Sequence, residues 1–116
     1  MIQIGIFDEH KLVLEGLSSL FNTSEEIKVA LTCDEKNLLP DKLKNTLVHV
    51  LILNMHEISV RNLNLIVQLN ISFPKLKILV ISAINSEEII LKTIKAGAKG
   101  FLGKDSSRTD MLEAIY

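Results

Sequence analysis

The sequence predicts an α/β protein in which a doubly wound parallel sheet carries helices on both faces. Two observations support this prediction. Short β-rich runs alternate with segments of helical periodicity, and the third run, VHVLIL, is almost entirely apolar. A strand covered on both faces has no polar face, so it lacks the alternation of a half-exposed strand. Because parallel crossovers are right-handed, five β-α units place helices on both sides of one sheet.

Each predicted element follows from a local pattern. Strands are predicted over residues 2–7, 27–32, 48–53, 76–82 and 100–103, and helices over 10–21, 37–45, 63–69, 86–95 and 107–116. Ser86 can cap the fourth helix and Gly97 can close it, while Pro40 suits only the first turn of the second. The residues predicted to be buried on the first and third helices are Val13, Leu17, Leu20, Phe21, Leu63, Ile66, Val67 and Leu69.

Composition narrows the function classes. The 116 residues suffice for one domain, and with 47% hydrophobic but only 4% aromatic residues its core must be aliphatic. A net charge of -1 does not favour nucleic acid or an anionic membrane. The single cysteine, Cys33, excludes an internal disulfide and fits a reducing compartment. No leader or membrane-length stretch is evident, so we expect a cytoplasmic protein that does not contact the membrane.

Polar side chains follow the predicted strands at the edge where such sheets bind ligands. They are Asp8 and Glu9 after the first strand, Asn54 and His56 after the third, Ser82 at the end of the fourth, and Lys104 and Asp105 after the fifth. The first loop, FDEHKLV, has no glycine and carries two carboxylates, which repel an anion and attract a hard cation such as Mg²⁺. This argues against a nucleotide or flavin site.

The segments IGIFDEH, VLILN, ILVISA and AGAKGFLGKD resemble the receiver domain of the NarL/FixJ (LuxR-type) class of two-component response regulators. The resemblance covers the whole chain. It implies a flavodoxin-like fold with strand order 2-1-3-4-5, and a regulatory rather than an enzymatic role.

The resemblance also implies roles for single residues. Asp8 and Glu9 hold the positions of the Mg²⁺-binding acids, and Asn54 holds the position of the aspartate that accepts the phosphoryl group. Ser82 and Lys104 hold the positions that contact the phosphoryl oxygens, and Phe101 that of the switch aromatic.

Residue 54 departs from the family pattern. Phosphoryl transfer needs a carboxylate nucleophile, and an amide oxygen is a poor one. Asn54 also removes one negative charge, so we expect Mg²⁺ to bind weakly. The following loop, HEISVRN, lacks the proline and glycines usual in the family. The nucleophilic carboxylate and the usual loop sequence are thus both lost at one site. Together these losses predict a pseudo-receiver, a receiver-like domain that works without phosphorylation at Asn54. Phosphorylation of another residue and small-molecule sensing in the vacated pocket are the alternatives.

Simpler interpretations stay open for several residues. Asp8 and Glu9 can merely cap the first helix, Lys104 can be a solvated loop lysine, and Ser82 can bond only the backbone or Asn54. His56 is predicted to be a lone surface histidine, and His10 and His49 to have no partner at metal spacing.

The expected partners follow from exposed apolar residues and from the family. Leu14, Ile89, Leu91, Ile94, Met111, Leu112 and Ile115 are apolar where surface is expected. They predict a homodimer through the first and last helices, or through the fourth helix and fifth strand. A sensor histidine kinase is a further candidate partner. DNA is expected to bind only through a downstream helix-turn-helix domain, since the chain stops within its last predicted helix and has no basic stripe.

Overall fold

Strands and helices alternate throughout the computed structural model, which describes residues 1–84, 86–103 and 106–116. The elements in chain order are β1 (Ile2–Phe7), α1 (Lys11–Ser19), β2 (Ile27–Cys33), a short 3₁₀ helix (Lys36–Leu38), α2 (Leu39–Lys44), β3 (Val50–Met55), α3 (Val60–Ser72), β4 (Lys77–Ser82), α4 (Glu87–Ala96), β5 (Gly100–Gly103) and α5 (Arg108–Ile115). None of the described helices has the length and apolar character that a membrane-spanning segment needs.

The strands form one sheet in the order β2-β1-β3-β4-β5, and every neighbouring pair is parallel. This confirms the predicted flavodoxin-like topology. All six residues of β3 are buried, as its apolar run predicts for a central strand. The strand lies two residues later than predicted, so Asn54 belongs to β3 and pairs with Ile81 of β4. The carboxyl ends of β1, β3 and β4 therefore meet at one edge.

Alternate residues of the central strand β3 enter two separate core layers. Leu51 and Leu53 of β3 pack in the layer that contains Ile66 and Leu69 of α3. Ile52, between them, packs in the opposite layer with residues of α1 and α5. Successive strand side chains point to opposite faces, so one aliphatic strand contributes to both layers.

The buried faces of α1 and α3 differ from the prediction. Leu14 is buried at 8% exposure, whereas Val13 is 38% exposed. Spacings 13-17-20 and 14-17-21 both fit a helical stripe, and only packing on the sheet distinguishes them. In α3, Ile66 is fully buried and its neighbour Val67 is 38% exposed, because adjacent helical residues lie about 100° apart.

The last helix also differs from the prediction. Met111 and Ile115 were expected at the surface, but both are buried in the layer that α1 covers. They lie four residues apart and so share the face of α5 that is turned to the sheet. Only Leu112 of the three predicted residues stays partly accessible.

The predicted ends of α4 are confirmed. The Ser86 hydroxyl accepts a hydrogen bond from the Ile89 amide at 3.4 Å, and Gly97 ends the helix at φ +126°. A left-handed backbone of this kind favours glycine, because a Cβ would meet the neighbouring carbonyl.

Candidate functional site

Asp8 is the centre of the polar cluster at the carboxyl edge of the sheet. Its side chain is fully buried at the end of β1, and both carboxylate oxygens are engaged. Oδ1 accepts hydrogen bonds from the His10 amide and from His56 Nε2, each at 2.8 Å, and Oδ2 accepts from Asn54 Nδ2 at 2.6 Å. Three donors from two segments, the loop after β1 and the end of β3, thus compensate a buried carboxylate.

Asn54 presents an amide where the resemblance places a nucleophilic carboxylate. The residue is 5% exposed, and its Nδ2 donates to Asp8. Among the described residues, its Oδ1 has no hydrogen-bond partner. A buried acceptor without a partner is unfavourable by about 1–3 kcal/mol, so this oxygen is suited to an additional ligand.

The two histidines at this edge correct the sequence-based interpretation. His56 was expected to be a lone surface residue and His10 to lack a partner, but both lie against Asp8. One ligand atom from each of Asp8, His10 and His56 lies within 4.8 Å of the others. Their sequence spacing gave no signal, because β1 and β3 bring them together over a separation of 48 residues. His49, by contrast, accepts from the Gln3 amide.

Glu9 follows Asp8 directly in the sequence but forms an ion pair with a separate group. Its carboxylate lies 3.3 Å from Lys36 Nζ, which also bonds Asn62 Oδ1. Asn62 is buried at the start of α3, and its Nδ2 donates to the Glu57 carbonyl at 2.7 Å. Sequence reasoning missed Lys36 and Asn62, since neither lies directly after a strand and α3 was expected to begin only at residue 63.

The remaining predicted positions have simpler surroundings. Ser82 is fully buried at the end of β4, and its hydroxyl accepts from the Ile84 amide at 3.1 Å. Phe101 on β5 is half-buried and packs on the core layer that contains α3. Lys104 lies outside the described residues.

A cavity of about 610 Å³ opens beside the cluster, lined among others by Glu9, His10, Lys36, Asn54 and His56. Mg²⁺ requires an octahedral shell dominated by carboxylate, carbonyl and water oxygens. Here one carboxylate oxygen faces two histidines, the second bonds an amide, and Glu9 is paired with Lys36. This donor set does not fit Mg²⁺.

Comparison with known proteins identifies the family. The response regulator receiver domain family matches residues 4–116. The oxygen regulatory protein NreC of Staphylococcus epidermidis is 30% identical over 116 residues, covering 98% of this chain and 53% of NreC. The transcriptional regulatory protein LnrK of Bacillus subtilis is 26% identical over 115 residues, covering 99% of this chain and 52% of LnrK. The chain thus spans about half the length of these curated relatives.

Solved structures show the same fold. The isolated receiver domain of RcsB from Salmonella enterica serovar Typhimurium, with the phosphomimetic BeF₃⁻, superposes with a TM-score of 0.85 at 24% identity and covers 98% of this chain and 85% of that one. The receiver domain of NarL from Mycobacterium tuberculosis gives a TM-score of 0.82, also at 24% identity, over 98% of this chain and 92% of that one. With the sheet order and the near-complete family match, these comparisons show that the chain belongs to the response regulator receiver domain family.

Proposed function

We propose that this domain is a pseudo-receiver, the regulatory part of a response regulator that signals without phosphorylation at Asn54. The observation that carries the proposal is the 2.6 Å hydrogen bond from Asn54 Nδ2 to Asp8 Oδ2. The amide supplies a donor to the acid beside it, where a phosphoacceptor must supply a nucleophilic oxygen.

The chemistry of the pocket supports this proposal. In-line attack on phosphorus needs an anionic oxygen at residue 54 and a cation that neutralises the phosphoryl oxygens. Asn54 is neutral, and the two carboxylates that follow β1, Asp8 and Glu9, are bonded to protein groups. Mg²⁺ binding in this pocket is therefore weak or absent under the proposal.

Incubation of the chain with acetyl phosphate and Mg²⁺, followed by intact mass spectrometry, tests the proposal. We expect no added phosphoryl mass on the natural chain. The matched variant Asn54→Asp restores the nucleophile without changing side-chain size, and it should gain one phosphoryl group if His10, His56 and Lys36 can move aside.

A stable phosphoryl adduct on the natural chain would overturn the proposal. Peptide mapping of that adduct would then identify the second hypothesis, a receiver phosphorylated at another residue. An unlabelled Asn54→Asp variant supports the proposal further, because the altered loop after β3 would then block the reaction independently of residue 54.

The proposed output is control of transcription through contacts between domains or copies. The relatives LnrK and NreC are regulatory proteins about twice as long as this chain. We infer that a DNA-binding part outside these residues supplies DNA recognition, and that a sensor histidine kinase is a partner through contact rather than phosphotransfer.

The proposed homodimer uses the fourth helix and fifth strand, with the outer face of α4 in contact. Leu91 and Ile94 are 51% and 42% exposed and lie three residues apart, so they form one apolar strip. On α5, Met111 and Ile115 are buried instead. The structure therefore favours the α4 surface over the first-and-last-helix alternative.

A further inference from the structure

The side chains around Asp8 offer a metal ion ligands of a different kind from those of an acidic pocket. One carboxylate, that of Asp8, lies beside the imidazoles of His10 and His56. The carboxylate is fully buried, whereas the His56 and His10 side chains are 32% and 63% exposed. The carboxylate is thus fixed by the fold, and the imidazoles lie between it and solvent.

The separations suit a small metal ion. A tetrahedral ion with bonds of about 2.1 Å holds neighbouring ligand atoms about 3.4 Å apart. His10 Nδ1 already lies 3.5 Å from Asp8 Oδ1, and His56 Nε2 lies 2.8 Å from the same oxygen. The ring centroids are 4.2 Å apart with the planes at 82°, so the rings are not stacked. The three ligand atoms lie within 4.8 Å of one another, so changes of at most about 1.4 Å in their separations bring them to the spacing of one ion.

The buried oxygen of Asn54 is an independent indication of a ligand. Among the described residues, Asn54 Oδ1 has no partner, although the residue is only 5% exposed. It belongs to the same cavity wall as His10 and His56, and its amide nitrogen bonds Asp8. A metal ion, or a water molecule bound to it, would give this acceptor the partner it lacks.

The donor chemistry selects the class of ion. Imidazole nitrogens suit Zn²⁺, Ni²⁺, Cu²⁺ and Fe²⁺, whereas Mg²⁺ and Ca²⁺ take oxygen ligands. Glu9, an acid that lines the same cavity, is paired with Lys36 at 3.3 Å. We propose that Asp8, His10 and His56, with Asn54 beside them, form a binding site for a first-row transition-metal dication, for which Zn²⁺ is the probe.

This inference goes beyond the proposed function, and its test needs no phosphodonor. The competing interpretation is that His56 and His10 only compensate the charge of Asp8. That interpretation predicts no saturable metal binding, so the two differ in one titration.

The experiment is calorimetric titration of the untagged, metal-free chain with Zn²⁺, together with thermal unfolding. We expect one Zn²⁺ per chain, and at about 100 times its Kd a rise in Tm on the order of 10 °C. Mg²⁺ at the same concentration should leave Tm unchanged.

Variants locate the site. His10→Gln and His56→Gln should each weaken Zn²⁺ binding by at least about tenfold. The matched control is His49→Gln, because His49 is the remaining one of three histidines and bonds Gln3 instead. Cys33→Ser controls for the buried thiol, which bonds the Glu35 carbonyl. Neither control should change the affinity.

Paramagnetic broadening by Co²⁺ keeps the test valid if a variant fails to fold, because it uses the natural chain. Amide signals near His10, Asn54 and His56 should broaden first. The proposal is overturned if Zn²⁺ does not saturate, if His49→Gln weakens binding as much as His56→Gln, if Mg²⁺ binds as tightly, or if broadening centres elsewhere.

Discussion

A hydrogen bond joins Asn54 to Asp8. If residue 54 were an aspartate, two carboxylates would repel each other at this place. The length of the hydrogen bond is 2.6 Å and both residues are buried, so water does not weaken it. The amide therefore has a stabilising role in this pocket in addition to its chemical inertness. Because residue 54 is neutral, no cation is needed to offset repulsion between the side chains of residues 8 and 54.

Asn54→Asp should lower the free energy of unfolding by about 2–3 kcal/mol in the presence of EDTA, because it replaces a buried donor by a like charge. Mg²⁺ should restore part of this loss in the variant and leave the natural chain unchanged. Urea denaturation with EDTA or Mg²⁺ measures both effects.

The control is Asn54→Ala, which removes the donor without adding charge and should show no Mg²⁺ effect. An Asn54→Asp variant as stable as the natural chain in EDTA would show that repulsion between residues 8 and 54 is negligible.

At the scale of elements, the end of α4 depends on one glycine. Gly97 has φ +126°, and a Cβ there would lie 2.8 Å from Asn70 Cγ of α3. Backbone conformation and helix packing thus both require a residue without a side chain, and the close approach of α3 and α4 depends on it.

We expect Gly97→Ala to destabilise the domain by about 1–3 kcal/mol, because the strained backbone and the contact with Asn70 act in the same direction. Chemical denaturation measures the change.

Gly16→Ala provides the matched control. Gly16 lies inside α1 with nothing within 4 Å of an added Cβ, so alanine should stabilise by about 0.5–1 kcal/mol. Equal effects of the two substitutions would contradict the argument from backbone conformation.

The sequence predicted the fold correctly where a local pattern favours the same structure as tertiary packing does. The central position of β3, the Ser86 cap and the Gly97 stop all follow from patterns of a few residues. The buried faces of α1 and α3 did not follow from such patterns. In α1, the run LVLEGL fits two adjacent helical stripes, and only packing on the sheet selects Leu14 over Val13.

The site was predictable to the same extent. Strand-end positions located Asp8, Asn54 and Ser82, because a parallel sheet fixes which loops meet. The contacts of His10 and His56 with Asp8, and of Lys36 with Glu9 and Asn62, depend on loop conformation, for which the sequence carries no periodic signal.

At the scale of the whole molecule, α4 and α5 differ in the apolar surface that they leave for a second copy. The polar cluster occupies the carboxyl edge of the sheet, and α5 turns Met111 and Ile115 inward. The strip of Leu91 and Ile94 on α4 remains accessible, and apolar surface of this kind gains free energy when it is covered.

Sedimentation velocity over a concentration series should show a dimer that Leu91→Asp and Ile94→Asp weaken by at least about tenfold, since each buries a charge in an apolar contact. Leu12→Asp on α1 is the matched control, because Leu12 is 82% exposed but lies on the alternative surface. A dimer broken only by Leu12→Asp would assign the interface to α1, and a monomer at all concentrations would exclude the homodimer.

The amide at residue 54 also bears on how long a signal lasts. An acyl phosphate is a mixed anhydride that water cleaves. A domain activated by such a bond therefore returns to its inactive state at the rate of this hydrolysis. A domain with Asn54 forms no such bond at this position. Under the proposed function, the signalling state instead has the lifetime of a reversible complex. It persists while the bound species is present and ends at the rate at which that species dissociates.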